Sequence, residues 1–209
     1  MMIEEVGVPS LVLMENAGRG ASEWMLSRAE ALGLSSGGAA GVICGGGNNG
    51  GDGYVLARHL VAAGVSAFLI EVGDPLRLSC DAAVNRQICA HLGLPMGKWP
   101  LSGAEIGSIS CWVDAVLGAG FRSPLRALER SVLEEVGSLA AGAGALVVAL
   151  DSPSGLDMDS GVAAPGALRA DFTLTFGAQK VGFGAPGAAE WTGEVFVISL
   201  GAPVPPKGD

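Results

Sequence analysis

The residues best suited to chemistry follow an apolar segment, in a run of glycines that also contains Asn48, Asn49 and Asp52. Glycine lets a ligand approach the backbone closely, and the first turn of a following helix offers unpaired N–H groups and the positive end of its dipole. Such a loop suits a phosphate group. The structural alternative is a tight turn in which Asp52 caps its own helix, but the run contains more glycines than a turn needs. A P-loop is excluded, because no Gly-Lys-Ser/Thr follows.

The same loop satisfies the G-x-G-x-x-G pattern through Gly45, Gly47 and Gly50, and Glu71 follows 21 residues after the last of them. That arrangement is typical of dinucleotide-binding proteins and suggests an NAD(P)-dependent oxidoreductase. The only tyrosine, Tyr54, is not followed by a lysine four residues later, so the Tyr-x-x-x-Lys pair of a short-chain dehydrogenase is missing. An oxidoreductase is therefore the weaker hypothesis.

Two carboxylates follow apolar segments that we predict to be neighbouring strands. Asp114 ends one segment and Asp151 ends another, and a carboxylate at such a position is costly unless it is hydrogen-bonded or binds a ligand. The nearby oxygen donors, Asn49 and Ser154, are neutral. A site with so little charge suits a monovalent cation at least as well as Mg²⁺.

The sequence lacks the residue patterns that other catalytic chemistries require. Ser152 and Ser154 are not in a G-x-S-x-G sequence, and the two histidines, His59 and His91, have no evident relation to them. The four cysteines form no C-x-x-C pair and have no histidine at metal-ligand spacing, which argues against zinc and favours buried free thiols. A serine hydrolase and a zinc site are therefore not expected.

The chain has 209 residues, of which 49% are hydrophobic, and apolar segments alternate with helix-like ones. The predicted strands lie near 40–44, 67–72, 111–116, 146–150, 172–176 and 195–198, and the predicted helices at 11–32, 52–63, 79–91 and 125–140. Short continuous apolar runs are typical of strands buried on both faces. We expect a three-layer α/β/α fold with a mostly parallel, doubly wound sheet. It forms one domain over residues 1–201, followed by a proline-rich tail at 202–209.

The balance of 12 basic and 21 acidic residues gives a net charge of −9, which disfavours nucleic acid and anionic membranes as partners. The longest apolar run is shorter than the roughly 20 residues that span a bilayer. The N-terminal segment is acidic and does not resemble a signal peptide. We therefore expect a cytoplasmic protein.

Five segments in order resemble the NAD(P)H-hydrate epimerase family, also called the YjeF N-terminal domain. The loop Asn-Asn-Gly-Gly-Asp-Gly and the turn Asp-Ser-Pro-Ser-Gly are the most specific of them. The segments span residues 7–18, 44–53, 113–120, 150–157 and 170–182. The resemblance implies a Rossmann-like α/β/α fold and a substrate of hydrated, damaged cofactor, NADHX or NADPHX, whose R and S epimers are interconverted.

The resemblance also implies which residues form the site. Substrate-binding positions fall in two loops and at one strand end: Asn48, Asn49, Gly50, Gly51 and Asp52; Gly118, Ala119, Gly120, Phe121, Arg122, Ser123 and Pro124; and Asp151. A bound K⁺ would be held by Asn49, Asp114 and Ser154. A separate dehydratase that uses ADP or ATP would act on the S epimer, and a homodimer is usual for the family.

Epimerisation at a carbon that carries a hydroxyl beside the ring nitrogen needs an acid and a base but no redox step. We expect Asp151 to supply this function, with Asp52 as the second choice. Asn16 is expected near the substrate, and Lys180 either meets a phosphate or is solvated. A non-catalytic nucleotide-binding or regulatory module is the alternative. The sequence departs from the family pattern in two places: the segment before Gly7 is shorter than usual, and position 46 is a glycine.

Overall fold

A computed structural model describes residues 7–35, 37–101 and 103–201. The helices are α1 (Ser10–Leu26), α2 (Asn48–Ala62), α3 (Cys80–His91), α4 (Gly103–Ile106), α5 (Ala127–Ala143) and α6 (Ala189–Thr192). The strands are β1 (Ala39–Cys44), β2 (Ser66–Glu71), β3 (Met96–Lys98), β4 (Ile109–Ala115), β5 (Leu146–Leu150), β6 (Phe172–Phe176) and β7 (Glu194–Ile198). The proline-rich tail expected at 202–209 lies outside the described residues, so the domain boundary stays a prediction.

All seven strands form one parallel sheet in the order β3-β2-β1-β4-β5-β6-β7. The expected α/β architecture is confirmed, and the sheet is fully rather than mostly parallel. Strand β3 was not predicted, because it has three residues, none of them fully buried, and includes a glycine and a lysine. It is the edge strand beside β2, where only one side needs a partner.

Alternate residues of the central strands pack into different cores on the two faces of the sheet. Val42 packs with helices α1 to α3, whereas the next residue, Ile43, packs with α5 on the opposite face. Both residues are fully buried. A strand covered on both sides needs apolar side chains at every position, which explains the continuous hydrophobic runs in the sequence.

Helix α2 begins at Asn48 within the glycine run, four residues earlier than predicted. Asp52 therefore lies inside the helix, and no side chain caps its first turn, so the interpretation of Asp52 as a helix cap is wrong. Helix α1 is shorter than predicted and gives way to turns after Leu26. It packs closely on α2, since a Cβ on Gly18 would lie 2.5 Å from the side chain of Val55.

The chain runs outward from β1 through β2 to β3 and then crosses to β4 on the other side of β1, so the direction of strand addition reverses at β1. In open parallel sheets this reversal opens a crevice beyond the carboxyl ends of the strands. The glycine run that follows β1 lines this crevice, whereas Asp114, near the end of β4, is fully buried and does not line it.

Candidate active site

The glycines of the loop serve two different purposes. A side chain on Gly45 would clash with the carbonyl oxygen of Val116, and one on Gly50 would clash with the carbonyl oxygen of Gly45. These positions are glycine because β1, α2 and the segment after β4 touch there through their backbones. Nothing lies within 4 Å of the corresponding point on Gly47. That side of the loop is open to a ligand, at the amino end of α2.

A cleft of about 1010 Å³ extends from this loop across the carboxyl ends of the strands. Its size is at the upper end of the range of about 300–1,000 Å³ typical of small-molecule sites. The predicted binding residues that line it are Asn48, Asn49, Asp52, Gly118, Ala119, Gly120, Phe121, Arg122, Pro124 and Asp151. The lining does not include Gly50, Gly51 or Ser123. A Cβ on Gly51 would lie 2.5 Å from Met14 Sδ, so this glycine permits packing behind the loop.

Asp52 and Asp151 are two nearly buried carboxylates on the wall of the cleft, 9% and 8% exposed. The Asp52 carboxyl has no hydrogen-bond partner within the described part of the chain. Burial raises the pKa of Asp52 well above its ordinary value, and the nearby charge of Asp151 raises it further. Asp52 is therefore suited to hold a proton at a pH where an ordinary aspartate has lost it.

Asp151 stands in a different environment. Its Oδ1 atom accepts a hydrogen bond from the backbone N–H of Phe176 at 3.2 Å and lies 2.8 Å from the Lys180 ammonium. Its backbone has φ of 62°, the only positive φ at a non-glycine residue among those described. Such a conformation is uncommon outside glycine, asparagine and aspartate, and it is typical of functional sites. The backbone thus aims a charged carboxylate into the cleft.

Lys180 is neither solvated nor unpaired. Besides Asp151, its ammonium donates to the carbonyl oxygen of Phe176 at 3.1 Å, and its side chain is 21% exposed. The sequence predicted that Lys180 follows β6 and either meets a phosphate or is solvated, and it did not predict the pairing with Asp151. No spacing in the sequence signals this contact, because it depends on β5 and β6 being adjacent parallel strands whose carboxyl ends bring Asp151 and Lys180 together.

The three predicted cation ligands meet around the backbone of Leu117. Asn49 donates from Nδ2 to the carbonyl oxygens of Leu117 and Leu150, at 2.8 and 3.0 Å. Ser154 Oγ accepts from Leu117 N–H at 2.8 Å and donates to Asp114 Oδ1 at 2.6 Å. The two carbonyl acceptors fix the orientation of the Asn49 amide, and its Oδ1 atom is buried without a partner.

This arrangement fits a weakly charged cation. Asp114 is fully buried, and burial raises its pKa although hydrogen bonds from Ser154 and Val116 partly oppose the increase. A cation beside it would favour the charged carboxylate and would satisfy the orphaned Asn49 oxygen. Among the described residues, no group of three or more His, Cys, Asp or Glu side chains is placed to hold a metal. The donors are thus one carboxylate and neutral oxygens.

Glu71 is not available to bind a ribose. It is 6% exposed, accepts a hydrogen bond from Tyr54 Oη at 3.0 Å and pairs with Arg86 through Nε and Nη2. Tyr54 is fully buried. The two residues on which an oxidoreductase interpretation would depend are therefore occupied in a structural network inside the fold.

The remaining predicted residues lie away from the cleft. Asn16 donates to the carbonyl oxygen of Leu200 at 2.9 Å and joins α1 to the segment after β7, and it does not line the cleft. His59 pairs with Glu15 at 2.8 Å between α2 and α1.

Of the four free cysteines, three are buried as expected, but Cys80 is exposed. No helix in the described ranges has the length and hydrophobicity needed to cross a membrane.

Comparisons with known proteins agree with this geometry. The family model described as "YjeF-related protein N-terminus" matches residues 10–182. The NAD(P)H-hydrate epimerase of Rhodopirellula baltica is 38% identical over 98% of this chain and 80% of its own length. The enzyme of the same name from Pirellula staleyi is 35% identical, with coverage of 97% and 88%.

A longer relative and a solved structure extend the comparison. The bifunctional NAD(P)H-hydrate repair enzyme of Pyrobaculum aerophilum is 38% identical over 99% of this chain, which spans 40% of that protein. The crystal structure of yeast ynu0 (YNL200c) superposes with a TM-score of 0.75 at 24% identity, covering 86% of this chain and 76% of the yeast chain. The yeast structure supports the fold, and the sequence matches establish the relationship. The chain belongs to the NAD(P)H-hydrate epimerase family, whose signature is the YjeF-related N-terminal domain.

Proposed function

We propose that this protein interconverts the R and S epimers of NADHX and NADPHX, which makes it an isomerase of cofactor repair. The observation that carries this proposal is the pair of nearly buried carboxylates, Asp52 and Asp151, beside an open glycine loop. The loop offers backbone N–H groups to the substrate pyrophosphate. The two carboxylates line the same cleft as this loop. Membership of the epimerase family supports the same assignment.

The reaction requires that the hydroxyl leave one face of the ring and that water add to the other. Asp52, whose pKa is raised by burial, donates a proton to the departing hydroxyl. The C–O bond breaks as the lone pair of the ring nitrogen forms an iminium, and water leaves. Asp151, whose negative charge is stabilised by Lys180, accepts a proton from the water that adds to the other face. The electron count of the ring is unchanged, so no redox cofactor takes part.

We further propose that Asn49, Asp114 and Ser154 hold K⁺. The buried unpartnered oxygen of Asn49 supports this proposal. When bound, the ion supplies positive charge that orders the loops around Leu117 and the nearby phosphates. Asn49 and Ser154 position this segment through their hydrogen bonds to the Leu117 backbone.

The product of this reaction is a substrate for a dehydratase. We propose that an enzyme using ADP or ATP consumes the S epimer, as the family resemblance implies. The match of this chain to part of a bifunctional repair enzyme supports a shared reaction sequence.

A coupled assay tests the function. The R epimer of NADHX is mixed with an S-specific dehydratase and its nucleotide, and NADH absorbance is followed with and without this protein, in K⁺ and in Na⁺. We expect acceleration over the spontaneous rate, and a faster rate in K⁺. A rate equal to the protein-free rate would overturn the epimerase and favour a binding module. Redox turnover with NAD would favour an oxidoreductase.

Matched variants test the residue roles. Asn tolerates a positive φ as Asp does, so Asp151→Asn removes the charge without disturbing the backbone. We expect it to lower kcat by about 100-fold or more, the usual effect of losing a general base. Lys180→Met should lower kcat more than it raises KM. The control is Glu190→Gln, an exposed carboxylate on α6, which should leave the rate unchanged. Full activity of Asp151→Asn would refute the acid–base assignment.

A further inference from the structure

The cleft has two chemically different ends. Asp52 and Asp151 lie toward β5, whereas Asp74 and Arg77 line the cleft beyond β2, on the other side of the glycine loop. If the hydrated nicotinamide ring lies at the carboxylates, as the proposed function requires, a dinucleotide that crosses the loop directs its adenosine half toward β2. Dinucleotide-binding sheets of this topology place the adenosine ribose near the end of the second strand.

The residue that usually contacts this ribose is occupied here. Glu71, the last residue of β2, is bound by Tyr54 and Arg86. The next polar side chains along the cleft are those of Asp74 and Arg77. Recognition of the ribose 2′ position must therefore come from the segment after β2 rather than from Glu71.

This segment is fixed beside the glycine loop. Asp74 Oδ1 accepts from Leu76 N–H at 3.0 Å, and Arg77 N–H donates to the Asp74 carbonyl oxygen at 3.0 Å. Ser79 N–H donates to the Gly46 carbonyl oxygen at 2.9 Å, which joins the segment to the loop. The backbone that carries Arg77 is thus held at the cleft.

Arg77 also differs from the other cleft arginines in its partners. Arg122 donates to the Phe121 carbonyl oxygen at 2.6 Å and faces Asp159 at 3.4 Å, and Arg126 faces Glu129 at 3.8 Å. The Arg77 guanidinium has no hydrogen bond or ion pair within the described ranges. An unpaired guanidinium has the donor geometry that a phosphate requires. The glycine loop accounts for the pyrophosphate, which leaves the 2′-phosphate for Arg77.

We propose that Arg77 binds the 2′-phosphate of NADPHX and that Asp74 accepts a hydrogen bond from the ribose 2′-hydroxyl of NADHX, so that these two side chains set the preference between the substrates. The inference rests on the proposed function for the orientation of the substrate. The carboxylate of Asp74 repels a phosphate, whereas the guanidinium of Arg77 attracts one. Asp74 therefore favours binding of NADHX, and Arg77 favours binding of NADPHX.

Steady-state kinetics with both substrates test the proposal. Arg77→Gln should raise KM for NADPHX by about 10- to 100-fold, the effect of losing a charge-assisted hydrogen bond, while KM for NADHX and both kcat values stay within about twofold. Asp74→Asn keeps the acceptor for Leu76 N–H and should lower KM for NADPHX relative to NADHX. The control is Arg130→Gln, which removes an exposed arginine outside the cleft. Equal effects of Arg77→Gln on both substrates, or none, would overturn the proposal.

A binding measurement separates this inference from the epimerase assignment. Calorimetric titrations compare 2′-phospho-ADP-ribose with ADP-ribose, neither of which carries the nicotinamide ring. Arg77→Gln should weaken only the phosphorylated probe, by a similar factor to the change in KM. If the protein has no epimerase activity but Arg77→Gln still weakens only the phosphorylated probe, the epimerase function is refuted and the 2′-phosphate site is supported. Loss of affinity for both probes would assign Arg77 to the pyrophosphate and refute the site.

Discussion

Replacement of Asp52 by asparagine is expected to stabilise the folded protein while it removes the proposed acid. The carboxyl is 9% exposed and has no hydrogen-bond partner in the part of the chain that the structure describes. Burial and the charge of Asp151 both oppose a negative charge at Asp52, and a neutral amide escapes both costs. Removing a nearly buried, unpaired charge is worth about 1–3 kcal/mol. At about 2–4 °C per kcal/mol for a chain of this size, the melting temperature at pH 7 should rise by about 2–12 °C.

The pH dependence of this gain has a definite sign. Burial and Asp151 raise the pKa of Asp52, so the folded protein keeps the proton to a higher pH than the unfolded chain does. The contribution of Asp52 to folding stability therefore falls as the pH rises from the unfolded value, near 4, to the folded pKa. Below this window both states are protonated and the penalty is absent. The advantage of Asp52→Asn should thus vanish near pH 4 and be complete above the folded pKa.

Thermal unfolding of both proteins from pH 4 to pH 8, alongside the coupled epimerase assay, measures these effects. Asp159→Asn, which changes an exposed carboxylate, controls for the loss of one negative charge. We expect it to leave the melting temperature nearly unchanged. A variant at Asp52 that is no more stable than the parent at pH 7, or whose gain is the same at pH 4 and pH 8, would refute the reasoning.

Three further predictions concern the fold around the site. Arg86→Met leaves the Glu71 carboxylate with only one partner, and we expect the free energy of unfolding to fall by about 2 kcal/mol. This loss is smaller than for a fully buried ion pair because Arg86 is 31% exposed. A denaturant titration that shows no loss would contradict this prediction. Gly50→Ala should abolish activity and lower stability because its methyl group would clash with the Gly45 carbonyl, whereas a fully active variant would show that the loop can shift. A thiol reagent should label Cys80 alone in the native protein, since the other three thiols are buried; rapid labelling of more than one thiol would refute this burial.

The sequence was sufficient to predict most of the sheet and several residues at its carboxyl ends. Apolar runs identified six of the strands, and Asp151, which follows one of them, does line the cleft, whereas Asp114 is fully buried inside β4. The short edge strand at Met96–Lys98 was missed because it is not buried on both faces and so has no continuous apolar pattern. Strands that fill the core can be predicted from composition, while an edge strand depends on its neighbour.

The pairings between side chains were much less predictable. Nothing in the spacing indicated that Lys180 would bind Asp151, because the contact depends on the alignment of β5 with β6. The position of Glu71 suggested a ribose ligand, but Arg86, fifteen residues later, turns the carboxylate into a structural ion pair. In both cases a charged residue was identified and its partner was not, since partners are set by tertiary packing.

The place of the cleft between β1 and β4 also bears on when it forms during folding. These strands pair along residues such as Ala39 and Ile109, which are about 70 positions apart in the chain. Closing a loop of that length costs roughly 4 kcal/mol of chain entropy, and sheets built from such distant contacts fold slowly. The loop that follows β1 packs on the backbone of Val116, and the cavity needs segments reaching as far as Asp151. Nascent or partly folded chains should therefore lack a usable pocket, and ligand binding should report on completed folding.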